Sequence, residues 1–262
     1  MGKSREKDLR NRSTPDSINV RTIPSWSKRE MGFGPTVFRE TSQMSKIHAA
    51  FAATATLSFA ASLAHAEIYT DPVGDQGPGN ANLDLTTIEV TNDDDYVYFA
   101  ISTSEFAEWT KYMVFLDYAD SGNSGFNNPW GRSVDMGANK IDAFAGIWVD
   151  NGGGSLTYSA GGGDWFESSF GTTVEFSGTT VSTRFSLNAM GIGVGDVIKF
   201  DIGTTGGGSA DPATDLASVG STSGSWGGSS SAGELRSYTV VPAPGALALM
   251  GLAGVFARRR RA

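Results

Sequence analysis

The segment Tyr96-Val97-Tyr98-Phe99-Ala100-Ile101 decides the fold. Val97, Phe99 and Ile101 fall on one side of an extended chain and Tyr96 and Tyr98 on the other, the period of two that a half-buried strand imposes. The next run repeats it: Tyr112, Val114 and Leu116 alternate with Met113, Phe115 and Asp117. Working outward, further strands are predicted at 83–90, 143–149, 156–159, 165–170, 172–176, 179–187, 197–204 and 235–241. Leu187 to Met190 predicts one helical turn before Gly191, but no long 3.6-residue pattern occurs. Ser177-Gly178, between two alternating runs, predicts a tight hairpin turn. Gly-rich stretches at 151–154, 161–163, 203–208 and 224–231 read as loops. None opens a helix after a strand or carries the lysine of a phosphate-binding loop. Many short strands joined in this way predict an all-β, antiparallel, jelly-roll-like sandwich over residues 67–240.

Composition narrows the chemistry. The 262 residues contain no Cys, which excludes disulfides, zinc thiolate sites and a cysteine nucleophile. The two histidines, His48 and His65, both fall in a segment read below as a cleaved leader. The remaining body then has no imidazole, which excludes a Ser-His-Asp triad and histidine-ligated metals. Between Glu67 and Val240 there are 23 Asp plus Glu against 6 Lys plus Arg, a net charge of −17. So acidic a body repels nucleic acid, and its chemistry suits hard cations with oxygen ligands or simply a soluble surface.

Both ends read as targeting segments. From Met44, a positive start at Lys46 leads into an apolar, small-residue run over 49–63. Ala64-His65-Ala66 then matches the small-x-small pattern of a signal peptidase site, which predicts Glu67 as the mature N-terminus. Residues 1–43 carry nine Lys plus Arg against five Asp plus Glu, without apolar periodicity. They read as a disordered extension or as sequence upstream of a true start at Met44. At the other end Pro242-Ala243-Pro244-Gly245 precedes an apolar run over 246–257 and then Arg258, Arg259, Arg260 and Arg261. A run apolar on every side predicts a short hydrophobic helix, and the arginines hold its end on the cytoplasmic side. Thirteen residues from Gly245 to Ala257 reach about 20 Å, against a bilayer core of roughly 30 Å. That length suits a transient stop in the inner membrane better than a permanent anchor.

This order of proline motif, helix and arginine cluster, over 241–262, resembles the PEP-CTERM sorting signal of bacteria that make exopolysaccharide. The resemblance implies export through the secretion machinery and recognition by an exosortase-type membrane protease. It further implies an address on the cell envelope, the outer surface or the extracellular matrix. The family's Pro-Glu-Pro is Pro242-Ala243-Pro244 here, so the acidic side chain of the motif is missing. A second resemblance lies in Tyr69-Thr70-Asp71-Pro72-Val73-Gly74-Asp75-Gln76-Gly77-Pro78-Gly79, followed by Leu83-Asp84-Leu85 and Val90-Thr91-Asn92-Asp93. It is similar to the opening of DOMON-like sandwiches related to family 9 carbohydrate-binding modules. Phe115-Leu116-Asp117 with Asp120 and Gly122 resembles the strand and acidic loop that follow. That likeness implies sugar binding and, in some members, calcium.

Asp71, Asp75 and Asp84 sit in a turn-rich segment where carboxylates and carbonyls can surround Ca2+, tying the N-terminal loop to the sheet in place of disulfides. Ordinary turn chemistry accounts for the same residues. Asp117 and Asp120 form a second pair, and Asp93 to Asp95 read as a solvated hairpin turn. For an extracellular polysaccharide, stacking on exposed aromatic faces beside polar groups is the expected mode. Trp130 with Asn127, Asn128 and Arg132 is the best such cluster, with Trp226 in the Gly/Ser loop next and Trp109 as a further contributor. Trp148 and Trp165 lie within predicted strands, where core packing is expected. Core packing is also the competing account of any single tryptophan. An enzyme would have to work with carboxylates alone, and nothing in their spacing selects two of the 23. A non-catalytic module is therefore expected, with a purely structural matrix protein as the alternative.

Overall fold

A computed structural model describes residues 65–243, apart from 210, 221, 223 and 224. The extension over 1–43, the leader from Met44 to Ala64, Pro244, Gly245, the apolar run and Arg258 to Arg261 lie outside the described residues.

The alternation around Phe99 becomes the middle strand of a five-stranded antiparallel sheet. Its members are β1 (Glu67–Thr70), β2 (Leu85–Asn92), β3 (Tyr96–Thr103), β9 (Val174–Ser177) and β10 (Thr180–Ser186), ordered β1-β2-β3-β10-β9. Val97, Phe99 and Ile101 are fully buried, in register with Phe185, Thr183 and Val181 of β10. On the outer face the Arg184 guanidinium lies 4.2 Å from the centre of the Tyr96 ring. The second sheet contains β4 (Lys111–Asp117), β6 (Ala143–Trp148), β7 (Gly154–Gly161), β8 (Asp164–Glu167), β11 (Val197–Thr205) and β12 (Asp215–Leu216). Its order is β12-β11-β4-β6-β7-β8, and β14 (Arg236–Thr239) pairs with the other end of β11. The two sheets face each other across a core that includes Phe99, Phe185, Tyr112, Leu116 and Phe200. The fold is an antiparallel β-sandwich, as the alternation predicts.

The second sheet departs from simple alternation. In β4, residues from Tyr112 to Asp117 are all buried, because Met113 and Phe115 pack into a second core with Phe144, Val134, Met136 and Leu216. The cover is the long connection between β4 and β6, together with the stretch before β14. These two meet in a short parallel pair, β5 (Val134–Asp135) with β13 (Ser230–Ser231). Trp130 belongs to this cover, its ring 5.7 Å from that of Phe144 and laid against Gly146. A Cβ at Gly146 would sit 1.8 Å from Trp130 Cζ2, so the sheet needs a residue without a side chain there.

Smaller expectations are met with shifts of a residue or two. The β9–β10 hairpin pairs Ser177 with Thr180, so its loop is Gly178-Thr179, one residue later than predicted. Gly178 takes φ +59°, the sign that tight hairpin loops require. The helical turn α1 (Leu187–Met190) forms as expected, the Ser186 hydroxyl accepting from Ala189 N–H. Strand β1 is a finding that the alternation did not announce.

Both ends of the described chain lie at one end of the sandwich. Glu67 pairs with Val90, near the β2–β3 hairpin. There the Asn92 side chain donates to the Val241 carbonyl at 2.8 Å and accepts from Val241 N–H and the Tyr238 hydroxyl. The loops after β1, β3 and β11 gather at the opposite end. Among the described residues no helix is long and apolar enough to cross a membrane.

Candidate functional site

Two constructions occupy that opposite end. The first is aromatic. The loop between β3 and β4 carries Phe106 and Trp109, both exposed. Phe106 stacks on Phe176 of β9, with ring centres 5.9 Å apart and planes 15° from parallel. Trp109, 42% exposed, meets Trp226, 47% exposed, with centres 6.2 Å apart and planes at 55°. One short loop thus joins aromatics from the edge of the first sheet to those of the Gly/Ser loop. The Trp226 ring also lies over Gly206, whose carbonyl accepts from Arg132 Nη2 at 3.3 Å. Arg132 is buried; its burial lowers the guanidinium pKa, opposed by the Asp211 charge.

The polar residues expected around Trp130 are spent on structure. Asn128 is buried, accepts from Arg132 N–H at 3.0 Å and donates to the Arg132 carbonyl at 2.8 Å, which closes the turn. Asn127 donates to the Gly163 carbonyl and accepts from the Trp165 indole N–H. Trp130 faces the second core with the Arg132 guanidinium 5.5 Å from its ring centre, and Arg132 and Trp226 come together around Gly206. Trp109 is the partner that Trp226 uses.

The second construction is acidic. Asp71 follows β1 directly and is 8% exposed, and its N–H donates to the Thr86 carbonyl at 2.9 Å. Asp75 lies in the next turn, and Asp215 sits on β12, fully buried. One carboxylate oxygen from each of the three lies within 4.8 Å of the others. Both oxygens of Asp71 and both of Asp75 are buried without a hydrogen-bond partner. Burial pushes the Asp71 carboxyl up to about 8, helped by the charges of Asp215 and Asp75. Asp215 is pushed up to about 7, again by burial first, against the stabilising Leu85 N–H. Burial raises Asp75 as well.

Of the three carboxylates predicted to share a cation, Asp71 and Asp75 are brought together and Asp84 is used otherwise. Its two oxygens accept from Gly74 N–H at 2.8 Å and the Ser104 hydroxyl at 2.5 Å, which fixes the turn between Asp71 and Asp75. Asp215, more than a hundred residues away, takes the third place. Its one sequence signal is an acid set among Ala213, Leu216 and Ala217, an apolar neighbourhood that burial makes costly. The second expected pair does not form a comparable cluster: Asp117 faces Lys199 at 3.7 Å, and Asp120 adopts a left-handed turn conformation. Asp93 accepts from the N–H groups of Asp95 and Tyr96, the hairpin role expected of it.

A surface hollow of about 340 Å³ lies elsewhere, lined by Ser155, Thr157, Glu167 and Ser168 among others, and neither construction opens into it. No family model matches the chain, and comparison with characterised proteins gives no match.

Proposed function

We propose that this is an exported bacterial surface or matrix protein whose sandwich is a non-catalytic module for carbohydrate, its natural ligand an extracellular polysaccharide. The observation that carries this reading is the exposed aromatic pair Trp109 and Trp226, on loops at one end of a rigid scaffold. Indole faces stack on the C–H faces of a pyranose, while nearby polar groups take its hydroxyls. Phe106 and Phe176 extend the same surface toward the first sheet, as a linear glycan requires. The acidic body favours a neutral glycan over a polyanion. Export and sorting rest on the leader and on the PEP-CTERM-like tail, in which Pro242 and Ala243 lead into the apolar run and arginine cluster.

Affinity electrophoresis of the full chain through gels containing neutral exopolysaccharide tests the ligand. Retardation is expected, and replacing both Trp109 and Trp226 by Ala should weaken it at least about tenfold, or 1.4 kcal/mol. Equal retardation of wild type and variant would sink the site, and a wild type that migrates freely would favour a purely structural matrix protein. Intact mass of the protein from cell and medium fractions tests the sorting. Loss of Arg258 to Arg261 is expected, and a mature mass that still includes them would leave a plain membrane anchor.

A further inference from the structure

A buried carboxylate with no partner is expensive, and native structures tolerate few. Asp71 is more than nine-tenths buried, and neither of its oxygens has a hydrogen-bond donor. It points into a group whose other members are also acids, Asp75 and Asp215. Among the described residues no Lys or Arg forms an ion pair with any of the three; the ion pairs found involve Asp150 and Asp117 instead. Left alone, three carboxylates this close repel one another and gain nothing from burial. The arrangement is nevertheless well braced. Asp71 is held by its N–H bond to Thr86, Asp215 is paired in register with Thr204, and the Asp75 carbonyl accepts from Thr222 N–H at 3.3 Å. Asp84 secures the turn between Asp71 and Asp75 through Gly74.

The Arg236 charge acts on Asp71 only from beyond ion-pair distance, so what such a group lacks is a positive charge in contact with it. Two oxygens on one calcium ion, each at 2.3–2.6 Å, can be at most about 5 Å apart, and these lie within 4.8 Å. Asp215 accepts one N–H on each oxygen, from Leu85 at 2.7 Å and Leu216 at 2.8 Å. A carboxylate oxygen has two lone-pair sites, so each keeps one for a metal. Gln76, beside Asp75, has a buried side-chain carbonyl oxygen that is likewise without a partner. Oxygen ligands alone, with several carboxylates on turns, are the chemistry of a hard divalent cation.

We propose that Asp71, Asp75 and Asp215 form a site for one divalent cation, with calcium the ion that fits. The ion bridges the segment after β1 to β12, a cross-link in a chain without cysteine. The segment from Asp71 to Leu83 reaches both aromatic loops: the Asp75 carbonyl accepts from Thr222 N–H in the loop that carries Trp226, and Asn82 Nδ2 donates to the Thr110 hydroxyl beside Trp109. The cation therefore braces the base of the aromatic surface, but the site stands on its own residues and does not depend on carbohydrate binding.

The test is a calorimetric titration of the full chain, stripped with chelator, with calcium chloride and then with magnesium chloride. One calcium ion per chain is expected, with magnesium at least about tenfold weaker because it demands a tighter octahedron. Asp71→Asn and Asp215→Asn should each weaken calcium at least about tenfold, and exposed Asp94→Asn should leave it unchanged. Asp75→Asn, in the half-buried turn, gives a third variant should either of the others fail to fold. Melting without calcium provides the fold control: Asp71→Asn and Asp75→Asn should melt no lower than the stripped wild type, since each removes a buried charge without a hydrogen-bond partner, whereas Asp215→Asn also gives up an acceptor of the Leu85 or Leu216 N–H. The proposal is overturned if the wild type takes up no calcium at about 10 mM, well above the weakest extracellular sites. It is equally overturned if folded Asn variants bind as tightly as wild type. No glycan enters the experiment, so its failure is distinct from failure of the carbohydrate reading.

Discussion

Asp142 and Asp71 are both buried carboxylates at loops of the same sandwich, and the chain treats them in opposite ways. Asp142 accepts from the N–H groups of Tyr118 and Ala119, at 2.8 and 2.7 Å, and from the N–H and hydroxyl of Ser121. Four donors from the loop after β4 converge on one side chain, so the negative charge shapes that loop. Asp71 receives no donor on its carboxylate, and oxygens of two further acids lie within 4.8 Å of it. A carboxylate surrounded by N–H groups is structural cement that is complete in the polypeptide. One surrounded by carboxylates is complete only with a counter-charge from outside. Burial alone does not separate a structural acid from a functional one; the supply of donors does.

Substitutions can break that contrast in order of size. Asp142→Ala should cost about 3 kcal/mol or more, since it strands several donors that bonded a charged group, and chemical denaturation would measure the loss. A cost below about 1 kcal/mol would show the loop holding its shape unaided. The acidic trio should respond to solution rather than to truncation. Calcium at about a hundred times its dissociation constant adds about 2.7 kcal/mol of stability, read as a rise in melting temperature that chelator reverses. Asp71→Asn should lose that increment while keeping the chelated melting point.

Asp201 sharpens the comparison between these extremes. It is fully buried and accepts from Ser218, yet burial still pushes its carboxyl up to about 7. Between the unfolded value near 4 and about 7 the folded chain binds more protons than the unfolded one. Stability from this group is therefore present below pH 4 and lost as pH rises through 7, by at most about 1.4 kcal/mol per pH unit. Asp201→Asn, measured in calcium-containing buffer, should flatten that slope; an unchanged slope would assign it to other groups. Least affected should be Asp94→Ala, at an exposed acid of the β2–β3 hairpin, which should change the stability read by chemical denaturation by under about 0.5 kcal/mol.

How much of this was legible in the sequence depends on the range of the cause. The alternation in β3 is local, because one face meets the core and the other does not, and it named the sandwich outright. In β4 the same alternation is present, but Met113 and Phe115 are buried by residues from 130–136 and from Leu216, which no local period can announce. Trp130 illustrates the same limit. Its polar neighbours looked like a binding cluster, and only the glycine at position 146, facing it across the second core, reveals that its ring has a seat. Asp71 and Asp75 were legible because a single turn holds both. Asp215 was not, because the sheet supplies it from more than a hundred residues along the chain, and Asp84 was drawn in by proximity in the sequence. Trp226 was visible as an aromatic in a glycine-rich loop. Its pairing with Trp109 needed the fold.

The clip at Asn92 gives the molecule a direction. Chain enters at Glu67 and leaves at Val241 on one side of the sandwich, while the carboxylate trio and the tryptophans sit beyond the far ends of β2, β3 and β11. Strands of eight residues span roughly 25 Å. Any surface that grips the protein by either terminus, a bilayer or a polymer to which it has been joined, holds it by the stalk. The aromatic loops then lie at the end of the sandwich facing away from that surface.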